Sequence, residues 1–425
     1  MRRVILPLLL CLTVLPNARA DETSALREQI EALSRELEKL KQQMQEMDSR
    51  TEALADQQLT TPPGAETAPA QNTQSKVSIW GYGEIDYNRP LDNTNETRMD
   101  LRRAVVGFGY TFDESTRFHS EFEVEHAVVS ADDDGEVGVE QFYIDHTLLP
   151  EANLKAGLFV IPMGFLNESH EPTRYYGVER NFVETAIIPT TWREGGIGIY
   201  GGSSLGIGWD VGVTTGFDLG KWDPTSTDGI ESPLGSIHQE LQNANAKDLS
   251  VYLSLNYRGI PGWDAGASVF TGKASQDNPA ATLAPDARVT LWEAHTRWTP
   301  GNFDLSALYS MGTISDTAAL NATFVGNPTL IPREFWGGYL QGAYLLPLGG
   351  RRSVAPFVRY ERFNTGADYA ALPAGLSVNA LPTETVWTTG INFYLNPNVV
   401  FKADYQHFAV DSDNTRIDLG LGLEF

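Results

Sequence analysis

Glu121, Glu123 and Glu125 recur at every second position, with His119 in the same phase. A strand puts residues two apart on one face, so these side chains would form a single acidic row. Glu84 and Asp86 repeat the spacing, Asp145 extends it, and Arg103, Arg297, Arg359, Lys402 and Arg416 supply bases at comparable positions. The densest charge lies in the segment 162–194, which holds Glu168, His170, Glu171, Arg174, Glu179, Arg180, Glu184, Arg193 and Glu194. Paired carboxylates can serve as general acid and base when their surroundings separate their pKa values. Nothing in these stretches distinguishes one carboxylate from its neighbours. A wall facing water, whose charges bias which ions approach, accounts for the pattern better.

Other catalytic chemistries find no foothold. There is no Gly-x-Ser-x-Gly elbow and no His-Glu-x-x-His pair, and the seven histidines are scattered. His126 and His146 fall in strand patterns and read as wall residues. Gly196-x-Gly198-x-x-Gly201 fits a dinucleotide fingerprint, but turn and strand residues follow it where a helix is required. The single cysteine, Cys11, lies in a segment that reads as a cleaved leader. The expectation is a protein without catalytic residues, resident metal or cofactor.

The elements that carry these residues are strands. From Val77 onward, short segments alternate apolar and polar residues, and the last is the clearest. Ile417, Leu419, Leu421, Leu423 and Phe425 share one face, while Arg416, Asp418, Gly420, Gly422 and Glu424 share the other. Comparable patterns begin near residues 77, 98, 116, 137, 153, 195, 207, 247, 263, 287, 301, 333, 352, 382, 398 and 415, which makes 16 strands. Their links alternate short and long. Asp113-Glu114-Ser115, Pro150-Glu151-Ala152, Ile260-Pro261-Gly262 and Asn396-Pro397-Asn398 are short; 162–194, 218–246, 276–286, 314–332 and 364–381 are long. Mid-strand charge is concentrated on one face, and the other is apolar. Tight turns at one end, long loops at the other and apolar residues outside describe an all-β, antiparallel transmembrane barrel. A barrel of about 16 strands is too wide for side chains to fill, so it encloses water. The segment 162–194 is long for a link and rich in charge and aromatics, so it is expected to fold inward and constrict the pore. The terminal Phe425 reads as the insertion signal for the barrel-assembly machinery.

The remaining chain divides into three parts. Residues 1–20 form the secretory leader, with Arg2 and Arg3, an apolar stretch and Ala18-Arg19-Ala20. In 21–55, Leu26, Ile30, Leu33, Leu37, Leu40, Met44 and Met47 are spaced alternately four and three apart. That is the seam of an α-helical coiled coil, and a helix with so narrow a stripe is expected to self-associate. Residues 56–76 are rich in Thr, Pro, Ala and Gln and read as a flexible linker to the barrel of 77–425. Beyond the leader, no apolar run approaches the length of a transmembrane helix. With 55 acidic and 31 basic residues and a net charge of −24, the chain lacks the basic surface of a nucleic-acid binder.

Several motifs together carry a family likeness. Asn167-Glu168-Ser169-His170-Glu171-Pro172, Tyr176-Gly177-Val178-Glu179-Arg180-Asn181 and Ile188-Pro189 to Trp192 resemble the constriction region of the phosphate-selective porin O and P family. Gly81-Tyr82-Gly83-Glu84, Arg102-Arg103-Ala104, Glu121-Phe122-Glu123 and Glu140-Gln141-Phe142-Tyr143-Ile144-Asp145 are similar too. The resemblance implies a 16-stranded, homotrimeric outer-membrane porin that passes ions and small polar solutes, phosphate or other anions among them. It also implies that the heptad segment is a three-stranded periplasmic coil. Family members that select phosphate line the pore with arginine and lysine. Here 162–194 holds three arginines against five glutamates, and the barrel region has five lysines. Two other readings remain: a porin specific for sugars or organic acids, with Tyr82, Tyr143, Tyr252 and Tyr394 facing the lumen, and a tether whose coil grips the cell wall.

Overall fold

The computed structural model describes residues 75–130, 135–372 and 379–425. The leader, the heptad seam, most of the linker and Asp132 to Asp134 lie outside the described residues. The described chain forms β1 (Val77–Pro90), β2 (Arg98–Thr111), β3 (Thr116–Glu125), β4 (Val137–Leu149), β5 (Ala152–Val160), β6 (Arg193–Gly202), β7 (Ile207–Thr214) and β8 (Ser250–Ile260). It continues with β9 (Trp263–Lys273), β10 (Arg288–Trp298), β11 (Phe303–Ile314), β12 (Glu334–Tyr344, resumed as Leu346–Gly349), β13 (Arg352–Asp368), β14 (Glu384–Asn396), β15 (Val399–Phe408) and β16 (Arg416–Glu424). Each strand starts within three residues of the position expected from the alternation.

Every strand pairs antiparallel with the next, and β16 returns to β1 with Tyr82 opposite Glu424 and Pro90 opposite Arg416. The sheet is therefore a closed 16-stranded barrel with no free edge. Backbone bonds between Gly81 and Phe425, 3.1 and 2.9 Å, form the last rungs of the seam.

Alternation decides the faces. Along β8, Val251, Leu253 and Leu255 are exposed on the outside, while Ser250, Tyr252 and Ser254 are buried inside. Aromatic residues ring the outer wall near the short turns, including Tyr110, Phe112, Trp263, Trp298 and Phe303. A second set, Trp292, Tyr309, Trp387 and Tyr405, lies nearer the long loops. Trp292 and Trp298 sit six residues apart on β10, about 20 Å of strand. That spacing suits the apolar band of an outer-membrane barrel with its two aromatic girdles.

Where the lumen meets the long loops, an apolar core fills part of the barrel mouth. Ile161, Met163, Val183, Ile187, Ile188 and Trp192 pack there with Phe217, Leu219 and Trp222 from the link after β7. Phe270 of β9 joins them, its ring 4.5 Å from that of Trp192. The core holds the loop between β5 and β6 at its two ends and leaves its middle to cross the lumen.

Candidate functional site: a loop folded across the barrel

Residues 161–192 run from β5 to β6 and fold into the barrel. Their contacts reach strands on the far side. Thr173 and Arg174 bond Glu424 of β16, with Arg174 Nη2 3.0 Å from Oε1 and Nε 3.2 Å from Oε2. The Tyr175 hydroxyl donates to Glu84 of β1 at 2.6 Å, and Lys402 of β15 lies 3.6 Å from the centre of the Tyr175 ring. The Tyr176 hydroxyl donates to Asp304 of β11, the Val178 amide to Asp404 of β15 and the Phe182 amide to Glu361 of β13. Asn88 of β1 donates to Glu179 at 3.1 Å.

Glu184 ties the loop to itself. Its carboxylate accepts from the amides of Phe165 and Leu166 at 2.5 and 2.8 Å, from Asn181 Nδ2 at 2.7 Å and from the Tyr339 hydroxyl of β12 at 3.1 Å. Gly164 makes this possible: its φ is +72°, and a Cβ there would lie 2.4 Å from Glu184 Oε1. Arg180 is buried and bonds Thr190, Thr191 and the His170 carbonyl, all within the loop. Burial, with Arg180 beside it, lowers the His170 imidazole to about 4, so it is neutral at pH 7. Arg193, at the start of β6, pairs with Glu240 at 3.3 Å. Glu194 accepts from Thr215 and Trp192. Glu171 is half-buried.

Along the wall, Glu84, Arg103, Glu121, Glu123, Arg359 and Lys402 are buried. Glu84 pairs with Arg103 at 2.8 Å, and Arg103 lies 3.5 Å from Glu123. Glu121 accepts from Trp80 and Gln141 at 2.6 and 2.5 Å. Asp86 is buried, while Glu125 and Asp145 are half-exposed. Arg359 donates to Glu361 at 2.6 Å and to the Tyr176 carbonyl at 3.0 Å. Arg297 makes a two-point pair with Asp304 at 2.8 and 2.5 Å, and Arg416 bonds Asp418 at 3.0 Å. Tyr82 donates to Glu140 and Tyr252 to Asp210, each at 2.9 Å.

Beside the loop a cavity of about 380 Å³ remains, bordered by Glu168, Thr173, Arg174, Tyr176, Asn256, Arg258, Asp264, His295, Arg297 and Tyr394. It gathers groups from the loop and from β8, β9, β10 and β14. Three arginines line it, and each has a carboxylate: Arg174 with Glu424, Arg258 with Asp264 at 2.8 Å and Arg297 with Asp304. Glu168 is exposed and makes no hydrogen bond or ion pair among the described residues. Sequence reasoning did not single out Asp304, Glu361 or Asp404, although Glu361 and Asp404 stand in phase with Arg359 and Lys402, and it placed Glu424 only on the polar face of the last strand. It named Glu140 within a family motif and not among the wall residues, because its position breaks the alternation.

A family model for phosphate-selective porin O and P matches residues 77–418. An uncharacterized protein of Aquifex aeolicus (strain VF5) is 31% identical over 352 residues, covering 80% of this chain and 78% of its own. Among solved structures, Salmonella typhi OmpF in complex with daunomycin superposes with a TM-score of 0.57 at 12% identity, over 82% of this chain and 97% of that one. An anion-selective porin from Comamonas acidovorans does so with a TM-score of 0.51 at 10% identity, over 83% and 100%. At such identities these structures share the barrel fold.

Proposed function

The chain belongs to the phosphate-selective porin O and P family, and from that premise we propose a diffusion channel with a mild cation preference and no phosphate-binding step. The protein is an outer-membrane porin, a channel for ions and small polar solutes. Solutes move down their own gradients through the space that the loop 161–192 leaves open. The cavity bordered by Glu168, Arg174, Arg258 and Arg297 is the narrow part of that path.

One observation carries the selectivity. Each arginine of the cavity is paired with a carboxylate. Anion capture needs guanidinium or ammonium groups with donors to spare, because charge-assisted and bidentate bonds give a phosphate site its strength. Here each guanidinium already gives one or two of its nitrogens to a carboxylate that cancels its charge, and Glu168 stands beside them without an ion-pair partner. Arg180 and Arg193 are occupied in the loop and at its exit. The net potential along the path is negative, and it favours cations.

The experiment is the reversal potential of the purified protein in a planar bilayer under a KCl gradient, with and without millimolar phosphate. A potential of cation-preferring sign, unmoved by phosphate, is the expected result. Anion preference with phosphate block would overturn the reading. The short turns and the N-terminal segment face the periplasm in this arrangement. Lys76 supports that polarity, since its carbonyl accepts from the Thr111 amide just before the first short turn. The homotrimer implied by the family likeness accompanies it.

A further inference from the structure

We propose that Glu121, Glu140 and His170 form a site for one divalent transition-metal ion of the zinc class, which fastens the inward loop to the barrel wall. The sequence pattern offers no metal motif, and the site arises from a break in a strand. Across β3 and β4, Glu121 stands opposite Gln141 and Phe122 opposite Val139, so Glu140 is an extra residue. This β-bulge turns both Glu140 and Gln141 to the lumen side. Bulges disrupt the ladder locally and recur where a side chain must be re-aimed. Here the re-aimed group is a carboxylate placed beside that of Glu121.

The carboxylate of Glu140 is fully buried. Its Oε2 accepts the Tyr82 hydroxyl at 2.9 Å, and its Oε1 has no hydrogen-bond partner. A buried anionic oxygen without a partner is costly unless a cation or proton meets it. The neighbouring guanidinium of Arg103 is already shared between Glu84 and Glu123. His170 comes from the loop and is itself buried. Its Nδ1 lies 2.9 Å from the Asn167 carbonyl, which can only accept, so Nδ1 carries the proton. That leaves the Nε2 lone pair available, 3.9 Å from Glu140 Oε2. Orientation of a ligating imidazole by a carbonyl on its other nitrogen is a recurring feature of metal sites.

One ligand atom from each of the three residues lies within 4.8 Å of the others. Zinc–ligand bonds of about 2.0–2.1 Å place tetrahedral ligands about 3.3 Å apart, a modest closure for long side chains. Two carboxylates and one imidazole suit zinc-class ions better than magnesium or calcium, which prefer all-oxygen shells. Water would complete the shell. Glu121 also borders a cavity of about 380 Å³ with Ser78, Trp80, His119 and Gln141, which gives an ion a way in. Bound there, the ion joins β3, β4 and the loop. The inference does not depend on which solutes the pore passes.

The test uses the full-length protein in detergent, stripped with chelator, reloaded with ZnCl2 and desalted. Zinc per chain is counted by elemental mass spectrometry, and affinity is measured by titration. About one tightly held zinc per chain is expected. Glu140→Gln and His170→Gln should each weaken binding at least tenfold, while His126→Gln, paired with Asp100 away from the site, should not. X-ray absorption should show one imidazole and otherwise oxygen ligands. Failure of the wild-type protein to hold zinc at micromolar concentrations would overturn the proposal and leave a proton as the partner of Glu140. So would wild-type affinity in either variant, or a shell with two imidazoles or with sulfur. Heat-modifiable gel mobility reports whether each variant has folded, and the wild-type count decides the matter even if a variant has not.

Discussion

Arg174 and Glu168 are the two loop charges that meet the water of the lumen most openly. Arg174 neutralises Glu424 through two bonds. Arg174→Ala should therefore release a carboxylate into the path and raise cation preference, while Glu168→Gln should lower it. The pair of reversal potentials checks the sign, and an unchanged potential in either variant would remove that residue from the conduction path. Glu184 does a different task. Four donors converge on its buried carboxylate, and Glu184→Ala strands them at about 1–3 kcal/mol for each group left unsatisfied. The loop should loosen, and single-channel records should show higher conductance and excess open-channel noise. The sequence could announce that 162–194 was rich in charge. It could not announce the partners, because Arg174 and Glu424 are 250 residues apart and meet only once the barrel closes. Composition alone cannot separate a charge that faces water from one, such as Arg180, that braces the loop.

At the scale of elements, the strands were legible because lipid outside and water inside impose a period of two on every one of them. The bulge in β4 was not legible for the same reason. A strict period of two that places Tyr143 and Asp145 inside would send Glu140 outside. The one available signal was two adjacent polar residues, Glu140 and Gln141, where alternation asks for an apolar one. This gives a sharp expectation. Deleting Glu140 removes the extra residue and restores an unbroken ladder, so the barrel should still fold and insert. Deleting Val211 should not be tolerated. β7 pairs with both neighbours without a bulge, so the deletion moves Val213 to the lumen face and Thr214 to the lipid face. Heat-modifiable mobility of the two refolded variants distinguishes them. Equal folding yields would mean that the bulge does not set the register.

On the scale of the molecule, the described strands from Val77 to Glu424 close the barrel among themselves. The seam runs through β1 and β16 and ends in the Gly81–Phe425 rungs. The heptad seam Leu26 to Met47 lies outside the described residues, and its proposed work is done between chains. Deleting 22–74 should leave unit conductance and reversal potential unchanged, because the cavity is lined by the inward loop and by strands β8, β9, β10 and β14. What should change is the lifetime of the trimer. A parallel coil raises the effective concentration of subunits, and its loss should make the oligomer dissociate at lower temperature in detergent. Conductance per pore and oligomer melting are thus predicted to separate. If the truncated chain failed to insert at all, the segment would be part of the folding unit, and its description as an appendage would be wrong. If it inserted and the oligomer melted unchanged, the coil would hold something other than a second copy of this chain, and the cell-wall tether would become the better account of it.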